Sequence, residues 1–235
     1  MDKESKFAIH AAAREGRVPV VESLLNADPK LAFQKDDDGR LPIHWAASSN
    51  QFEIVSLLVQ QKGFDPDVQD DSGWTPLMIA ASVKDGEKIV DLLLSKGADV
   101  NEKNNGGQTA LHFVASKNNI DLARKFFELK PPASARVRDK RGQYALHRAA
   151  AVGSVPMINL LIKNKSPLNA TDVAGYTALH HAVAEGHGDA AVALLKAGAE
   201  IDRKDLDGML ALDLAPDKEV RKYIERAAEM EGIDL

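Results

Sequence analysis

Cysteine is absent from the chain of 235 residues. Its absence excludes disulfide bonds, thiolate catalysis and every zinc site that needs a cysteine ligand, and it fits a reducing compartment. Aromatic residues are also scarce, at 5% of the sequence. No run approaches the roughly 18 consecutive apolar residues of a membrane span, and the first residues, Met1 to Lys6, carry no apolar segment typical of a signal peptide. We therefore expect a cytoplasmic and nuclear protein without a membrane partner.

An excess of positive charge is missing as well. The chain has 35 acidic and 30 basic residues, so its formal net charge is −5. Non-specific binding to nucleic acid depends on a basic surface, and this balance provides none in bulk. We expect no nucleic-acid partner.

A glycine followed by a tetrad similar to Ala-Leu-His recurs six times, at steps of 33 to 35 residues. The glycines are Gly39, Gly73, Gly107, Gly142, Gly175 and Gly208. An earlier tetrad, Phe7 to His10, lacks the glycine and brings the number of repeats to seven. A period of about 33 residues with a core similar to Thr-Pro-Leu-His is typical of ankyrin repeats, which stack on one another. The sequence therefore resembles an all-α ankyrin-repeat solenoid of seven helix-turn-helix units with polar turn tips.

We expect one domain, residues 1–235, because no repeat can bury its apolar face without its neighbours. The last repeat has the features of a cap, since its final helix is rich in charged residues. The repeats are predicted at about 5–36, 37–70, 71–104, 105–139, 140–172, 173–205 and 206–230.

Local signals predict two short helices in each repeat. Threonines such as Thr75 and Thr177 stand where a hydroxyl caps the first helix, and Pro42 and Pro76 suit a first helical turn. The second helix carries a pattern of apolar residues that predicts a buried face. In the third repeat this pattern is Ile89, Val90, Leu92 and Leu93, and in the fifth it includes Leu160 and Leu161.

Seven histidines raise the question of catalysis or metal binding, but five of them share one position of the repeat. Equivalent positions are a whole repeat apart, so we interpret these side chains as structural. Their numbers are His10, His44, His112, His147 and His180. We find no nucleophile beside a base, no paired carboxylates and no phosphate-binding loop. The aspartates at 36–38 resemble the start of a calcium loop, but the closing glutamate is missing. We expect neither an enzyme nor a metal or other cofactor.

Curved helical repeats bind partners along their concave surface, so residues at equivalent offsets of the first helices and turns are candidate contacts. The position after the histidine gives Trp45, Ile79, Phe113, Arg148 and His181, and four residues further lie Lys117 and Glu185. The turns add Arg40, Trp74 and Tyr176, together with the acidic tips Asp38 and Asp71. Aromatic residues and arginine are common anchors of protein interfaces. Packing between repeats is the alternative role for the aromatic residues, whereas Arg40, Lys117 and Arg148 are harder to explain by packing.

Charge changes sign along the chain. Residues 36–71 are rich in aspartate, whereas residues 136–148 are rich in arginine and lysine. Such an arrangement favours a partner with the opposite polarity in one orientation.

Several segments that match beyond the repeat consensus resemble the gankyrin family, and most closely its fungal members. They are Gln34 to Trp45, Asp70 to Pro76, His147 to Ser154 and Ala184 to Ala191, and the resemblance extends over all seven repeats. It implies a non-enzymatic chaperone for assembly of the proteasome regulatory particle. It further implies that the partner is the C-terminal domain of a base ATPase subunit, the third of the ring.

The same resemblance assigns roles to individual residues. Arg40 and Lys117 match basic positions that meet acids of the partner, and Asp38 and Asp71 match positions expected to face basic residues. Mammalian members are also associated with the retinoblastoma protein through an L-x-C-x-E motif, which a chain without cysteine cannot contain. We expect a monomer before complex formation. The alternative function is that of a generic ankyrin-repeat regulator of a kinase or a transcription factor.

Overall fold

The computed structural model describes residues 7–235. They fall into two compact units, a first unit that ends at Ala110 and a second unit that begins at Leu111. The described residues contain helices, turns and one isolated antiparallel bridge between Lys204 and Leu210, but no strand. The all-α class is confirmed. The organisation as a single domain stays a prediction.

The first unit consists of three helix pairs and a 3-10 helix at Pro29–Phe33. Its helices are α1 Ala8–Glu15, α2 Val18–Ala27, α3 Pro42–Ser48, α4 Phe52–Leu58, α5 Pro76–Ser82 and α6 Glu87–Ser95. The first helices of successive pairs pack together, α1 on α3 and α3 on α5, and so do the second helices, α2 on α4 and α4 on α6. This repeated packing is the ankyrin-type stack that the period predicts.

The second unit continues the same pattern of helix pairs. Its helices are α7 Ala110–Ser116, α8 Ile120–Glu128, α9 Ala145–Ala151, α10 Val155–Lys163, α11 Ala178–Ala184, α12 Gly188–Lys196 and α13 Lys218–Met230, with a 3-10 helix at Ala211–Leu214. The first residue of α7 is the last residue of the first unit. Helix α9 packs on α11, α8 on α10, α10 on α12 and α12 on α13. In α13, Ile224 and Ala228 are buried while the charged residues are exposed, as expected of a final repeat that caps the stack.

The first helices begin where the sequence signals place them. Pro42 and Pro76 are the first residues of α3 and α5. The hydroxyl of Thr75 accepts a hydrogen bond from the amide of Met78, and that of Thr177 accepts one from the amide of His180. Each bond satisfies an amide that has no partner inside the helix.

The apolar face of the second helices differs in one position from the prediction. Ile89, Val90 and Leu93 are fully buried, whereas Leu92 is only half-buried. Helix α10 repeats this pattern with buried Leu161 and half-buried Leu160. The prediction that Leu92 and Leu160 lie in the core is therefore wrong. Since helical residues advance by about 100° each, the buried face follows the positions i, i+1 and i+4.

The shared histidine joins neighbouring repeats. In His44, Nδ1 accepts the amide of Leu41 at 3.0 Å, and Nε2 lies 3.2 Å and 3.1 Å from the carbonyl oxygens of Val68 and Trp74. A carbonyl oxygen only accepts, so Nε2 carries the proton and the ring is neutral. In the second unit, His147 bonds the amide of Tyr144 and the carbonyl of Ala170 in the same way. The structural interpretation is therefore confirmed for His44 and His147.

The turns of each unit are also joined by backbone hydrogen bonds. The amide of Asp71 donates to the carbonyl of Asp38 at 3.1 Å. In the second unit, the amide of Val173 donates to the carbonyl of Arg141 at 2.9 Å, and the amide of Leu206 to that of Ala174 at 3.1 Å. The turn tips of a unit therefore form a continuous backbone edge. In the described part of the chain, no helix has the length and apolar character needed to cross a membrane.

Candidate protein-interaction site

An aspartate or asparagine opens each of the six glycine-containing turns and holds its backbone. One side-chain oxygen accepts the amides two and four residues further on; in the second repeat, Oδ1 of Asp36 accepts those of Asp38 and Arg40 at 3.0 Å and 2.8 Å. The other five residues that do this are Asp70, Asn104, Asp139, Asp172 and Asp205. Asp and Asn favour such turns because their side chains reach their own backbone.

The other oxygen of the turn aspartate receives a donor from the predicted contact row. Trp45 Nε1 donates to Asp36 Oδ2 at 2.7 Å, and in the second unit Arg148 donates to Asp139 Oδ2 at 2.9 Å. His181 Nε2 lies 2.9 Å from Asp172 Oδ2. In all three cases, the donor stands nine residues after the aspartate. The first helix of a repeat thus fixes the turn of the same repeat.

In the third repeat the equivalent residue is Ile79, which has no side-chain donor. Ile79 is 4% exposed, so it belongs to the core and offers almost no surface to a partner. The donor comes instead from the preceding turn, because Arg40 Nε lies 3.0 Å from Asp70 Oδ2. Gln143 Nε2 reaches forward to Asp172 Oδ2 at 3.0 Å in the same way. These contacts link neighbouring repeats within each unit.

The fourth repeat shows the converse case. Its turn begins with Asn104 in place of aspartate, and the residue nine positions later is Phe113, which has no donor. The side-chain nitrogen Nδ2 of Asn104 donates to Gln108 Oε1 at 3.1 Å. Since asparagine is uncharged, this turn has no buried negative charge to compensate. The buried aspartates Asp70, Asp139 and Asp172 each receive a side-chain donor. The carboxylate of Asp139, for example, is 1% exposed beside Arg148.

Two predicted contacts form a stack in the first unit. The guanidinium carbon of Arg40 lies 5.0 Å from the centre of the Trp45 ring, and that of Arg14 lies 5.8 Å from it. Both distances are in the range of cation–π attraction. Trp45 is half-buried and borders a groove that also contains Asp38. Arg40 and Arg148 therefore also have roles inside the fold, which the sequence alone did not indicate. Whether they contact a partner stays a prediction.

The remaining candidates differ in exposure. Asp38, Asp71, Lys117 and Glu185 are exposed, whereas Trp74, Phe113 and Tyr176 are half-buried. Lys117 follows the end of α7 and makes no ion pair with another described residue. The structure therefore leaves several charged side chains on the first helices and turn tips open to a partner.

Comparison with known proteins places the repeat pattern in a family. The family model for ankyrin repeats, in three copies, matches residues 1–70, 60–131 and 111–205. The chain belongs to the ankyrin-repeat family. Among solved structures, it is similar to the ankyrin-repeat domain of Bcl-3, described as a unique member of the IkappaB protein family, at 24% sequence identity and a TM-score of 0.72. That match covers 92% of this chain and 97% of the Bcl-3 domain. No curated protein matches the sequence.

Ankyrin repeats are a protein-interaction scaffold and are typically not enzymes, so a protein-binding role follows from the family. Among the described residues, no group of three or more histidines, aspartates or glutamates is arranged to hold a metal ion.

Two of the ankyrin turns stabilise the charged form of their opening aspartate. Burial alone would raise the pKa of Asp172, but the hydrogen bonds from Gln143 and His181 and those from backbone amides outweigh it and lower the pKa below its ordinary value. The same balance between burial and the bonds from Trp45 and the backbone lowers the pKa of Asp36. Both carboxylates are therefore ionised at neutral pH and act as acceptors.

Burial favours the neutral form of His44 and His147, which occupy the histidine position shared by the repeats. It lowers the pKa of His147 to about 4, and it lowers that of His44 as well. A ring that is neutral at pH 7 keeps Nδ1 available as an acceptor for the start of its helix.

The second unit exposes residues that the sequence patterns did not single out. Val173 is 63% exposed and Leu206 is 78% exposed, both at turn tips of ankyrin repeats. Sequence reasoning assigns an apolar residue to the core by default. Their position directly after the turn aspartates, where the equivalent residues of other repeats are charged or polar, was the available signal.

Proposed function

We propose that this ankyrin-repeat protein is a non-enzymatic chaperone for assembly of the proteasome regulatory particle. In this proposal it binds the C-terminal domain of the third ATPase subunit of the base through the first helices and turn tips of its repeats. It accompanies that subunit during assembly and delays docking of the base on the proteasome core by steric obstruction.

The resemblance to the gankyrin family supports the choice of partner. It rests on matches beyond the repeat consensus in segments such as Gln34 to Trp45 and Ala184 to Ala191. Residues that neither cap a helix nor fill the core of a repeat are those available for recognition. These segments include Arg40, Trp45 and Glu185 of the candidate site.

The observation that carries the binding role is the combination of fixed and open charges at this site. Arg40 donates one hydrogen bond to Asp70, and its side chain remains 28% exposed. A guanidinium has five N–H donors, so Arg40 can still bond a carboxylate of a partner. Because Asp70 and the Trp45 ring already orient it, little side-chain entropy remains to be lost on binding. Lys117 is exposed and adds a second cation on the first-helix face of the second unit.

The direct test is calorimetric titration of the whole chain with the purified C-terminal domain of the ATPase subunit. We expect Lys117→Glu to weaken binding, by an amount up to the roughly 2–5 kcal/mol of a desolvated charge pair, and a rise in salt to weaken it further. The matched control is Lys88→Glu, which reverses an exposed charge on the second helix α6. Circular dichroism checks that both variants fold. The proposal fails if the wild-type chain does not bind this domain, or if Lys117→Glu binds it as well as the control does.

Regulation of a kinase or a transcription factor is the second candidate. The similarity to the Bcl-3 domain is a similarity of fold and leaves the partner open. Affinity capture from extract followed by mass spectrometry separates the two candidates. Base ATPases in the captured material support the chaperone, and a kinase or transcription factor without them supports the regulator. The cytoplasmic and nuclear localisation and the monomeric state stay predictions.

A further inference from the structure

The turn tips of the second unit expose a basic pair followed by two aliphatic residues. Lys140 and Arg141 are exposed in one turn, and Val173 and Leu206 occupy the equivalent tips of the next two turns. Neither Lys140 nor Arg141 makes an ion pair with a described residue. The basic and apolar groups are therefore both available on one edge of this unit.

The backbone makes this edge continuous and sets its spacing. Within a turn, the amide of Asp172 donates to the carbonyl of Tyr176 at 2.9 Å. Each turn therefore contributes two hydrogen-bonded chain segments to the edge. Between turns, Val173 bonds Arg141 and Leu206 bonds Ala174. Paired chains lie about 4.8 Å apart, so equivalent tips recur about every 10 Å.

The close approach of the turns keeps the edge rigid. Gly175 has φ of 81°, and a Cβ at this position would lie 2.8 Å from the amide nitrogen of Leu206. Only glycine fits a backbone that is both left-handed and this close to its neighbour. The exposed side chains of Val173 and Leu206 are thus held on a fixed frame.

The spacing selects a helix as the complementary element. Seven residues of an α-helix rise about 10.5 Å and return to nearly the same face, so positions i, i+7 and i+14 match three successive tips. In a β-strand, three residues also cover about 10 Å, but successive side chains alternate between faces and an odd step points away. The charges set the direction: an acid suits the end with Lys140 and Arg141, because the other end carries the exposed Asp207.

We propose that the edge formed by Lys140, Arg141, Val173 and Leu206 binds an acidic amphipathic helix of a protein partner. The carboxylate of this helix pairs with Lys140 and Arg141, and apolar side chains one and two steps of seven residues further on cover Val173 and Leu206. Opposite charge accelerates and orients the encounter, and the covered aliphatic surface supplies attraction that salt does not screen. This edge consists of turn tips of the second unit alone, without residues of the first helices, and a partner helix that fits it need not belong to the ATPase subunit.

The test uses the isotopically labelled whole chain and a synthetic helical peptide with glutamate at i and leucine at i+7 and i+14. We expect the peptide to shift the NMR amide signals of residues 140–141, 173–174 and 206. Two control peptides carry lysine in place of glutamate, or the leucines on the opposite face, and both should bind more weakly. No ATPase domain is present, so the result is independent of the proposed function.

Variants of the chain sharpen the test. The double changes Val173→Ser with Leu206→Ser, and Lys140→Glu with Arg141→Glu, should each weaken peptide binding about tenfold or more, as expected for loss of a central contact. Met230→Ser and Lys163→Glu are matched controls, because they change an exposed apolar residue and an exposed cation elsewhere in the second unit. Absence of binding, shifts confined to other residues, or equal binding by the edge variants and the controls would overturn the proposal.

Discussion

The turns of the two units have the same backbone and expose different chemistry. In the first unit the first two tips are acidic, with Asp38 and Asp71, and the third is neutral, with Asn105. In the second unit the tips are basic at Lys140 and then aliphatic at Val173 and Leu206. The backbone depends on the opening aspartate or asparagine and on the glycine three residues later. The two positions between them make no comparable demand, so their side chains vary without cost to the fold.

This comparison separates two kinds of position within one repeat. The positions that hold the turn restrict their chemistry to a few residue types in both units. The positions at its tip are available for recognition and give each unit its own surface. The following predictions test whether the two units have the same buried contacts and differ only in their exposed side chains.

The largest effect is expected in the core of the second helices. Leu93 of the first unit and Leu161 of the second are both 0% exposed, so replacement of either by alanine should cost about 2–5 kcal/mol of unfolding free energy. The neighbours Leu92 and Leu160 are half-buried and should cost clearly less. Urea unfolding followed by circular dichroism measures all four variants. Equal losses within either pair would show that the buried face is wrongly assigned.

The second prediction concerns pH. Burial lowers the pKa of His147 from 6.5 to about 4, so between these values the unfolded chain binds a proton that the folded chain excludes. The stability is therefore complete above pH 6.5 and falls as the pH falls toward 4, by about 3 kcal/mol for this group, since one pKa unit corresponds to about 1.4 kcal/mol.

Unfolding measured across this pH range for the wild type and His147→Gln checks the prediction, because a side chain that does not titrate removes this part of the slope. The corresponding variant in the first unit is His44→Gln, whose histidine also has a lowered pKa. Identical slopes in the wild type and both variants would contradict the neutral, buried state of the rings.

A smaller effect is expected from the ion pairs that hold the turns. Arg148→Met leaves the buried Asp139 without its donor, and Arg40→Met does the same to Asp70. We expect each to cost about 1–3 kcal/mol, the range for an unsatisfied buried polar group. Thermal unfolding provides the measurement.

The fourth repeat suggests the control for this experiment. It combines Asn104 with Phe113, so adding Asp139→Asn to Arg148→Met should restore much of the lost stability. If the asparagine brings no recovery, the buried charge is not the reason for the loss.

The smallest effect on stability is expected at the tips. Asp38→Asn and Asp71→Asn in the first unit, and Lys140→Gln in the second, change exposed residues and should alter the unfolding free energy by about 0.5 kcal/mol or less. Their effect belongs to binding instead: the acidic tips should matter for basic partners and Lys140 for acidic ones. A large loss of stability in any of the three variants would show that residues at the tips also stabilise the fold.

The sequence predicted the helix starts because these features are local, and it predicted the repeat and the structural histidines because the same residues recur once per repeat. A glycine that needs a positive φ, a proline at α5 or the hydroxyl of Thr75 acts on residues at most four positions away. The family match then confirmed the repeat type. The partner and the contact residues stay predictions, because no local rule specifies what a surface binds.

Two other features depend on how the chain folds back and were not predictable in this way. The bond from Arg148 to Asp139 joins residues that come together only when the first helix lies beside its turn. The exposure of Leu206 requires knowing that the tip points away from the stack. In the first case the bonded residue is nine positions away, and in the second no neighbouring group covers the side chain.

The bond between a turn aspartate and the residue nine positions later has a consequence for any exchange of repeats between proteins. Asp36 is paired with Trp45, and Asp172 with His181. If only one member of a pair is moved into a foreign repeat, the carboxylate loses its donor or the donor loses its acceptor. A graft that cuts between turn and first helix should therefore lose stability even when every surface residue is preserved. A cut placed before the aspartate keeps both members of the pair in one piece, so chimeras of this chain should be joined at that boundary.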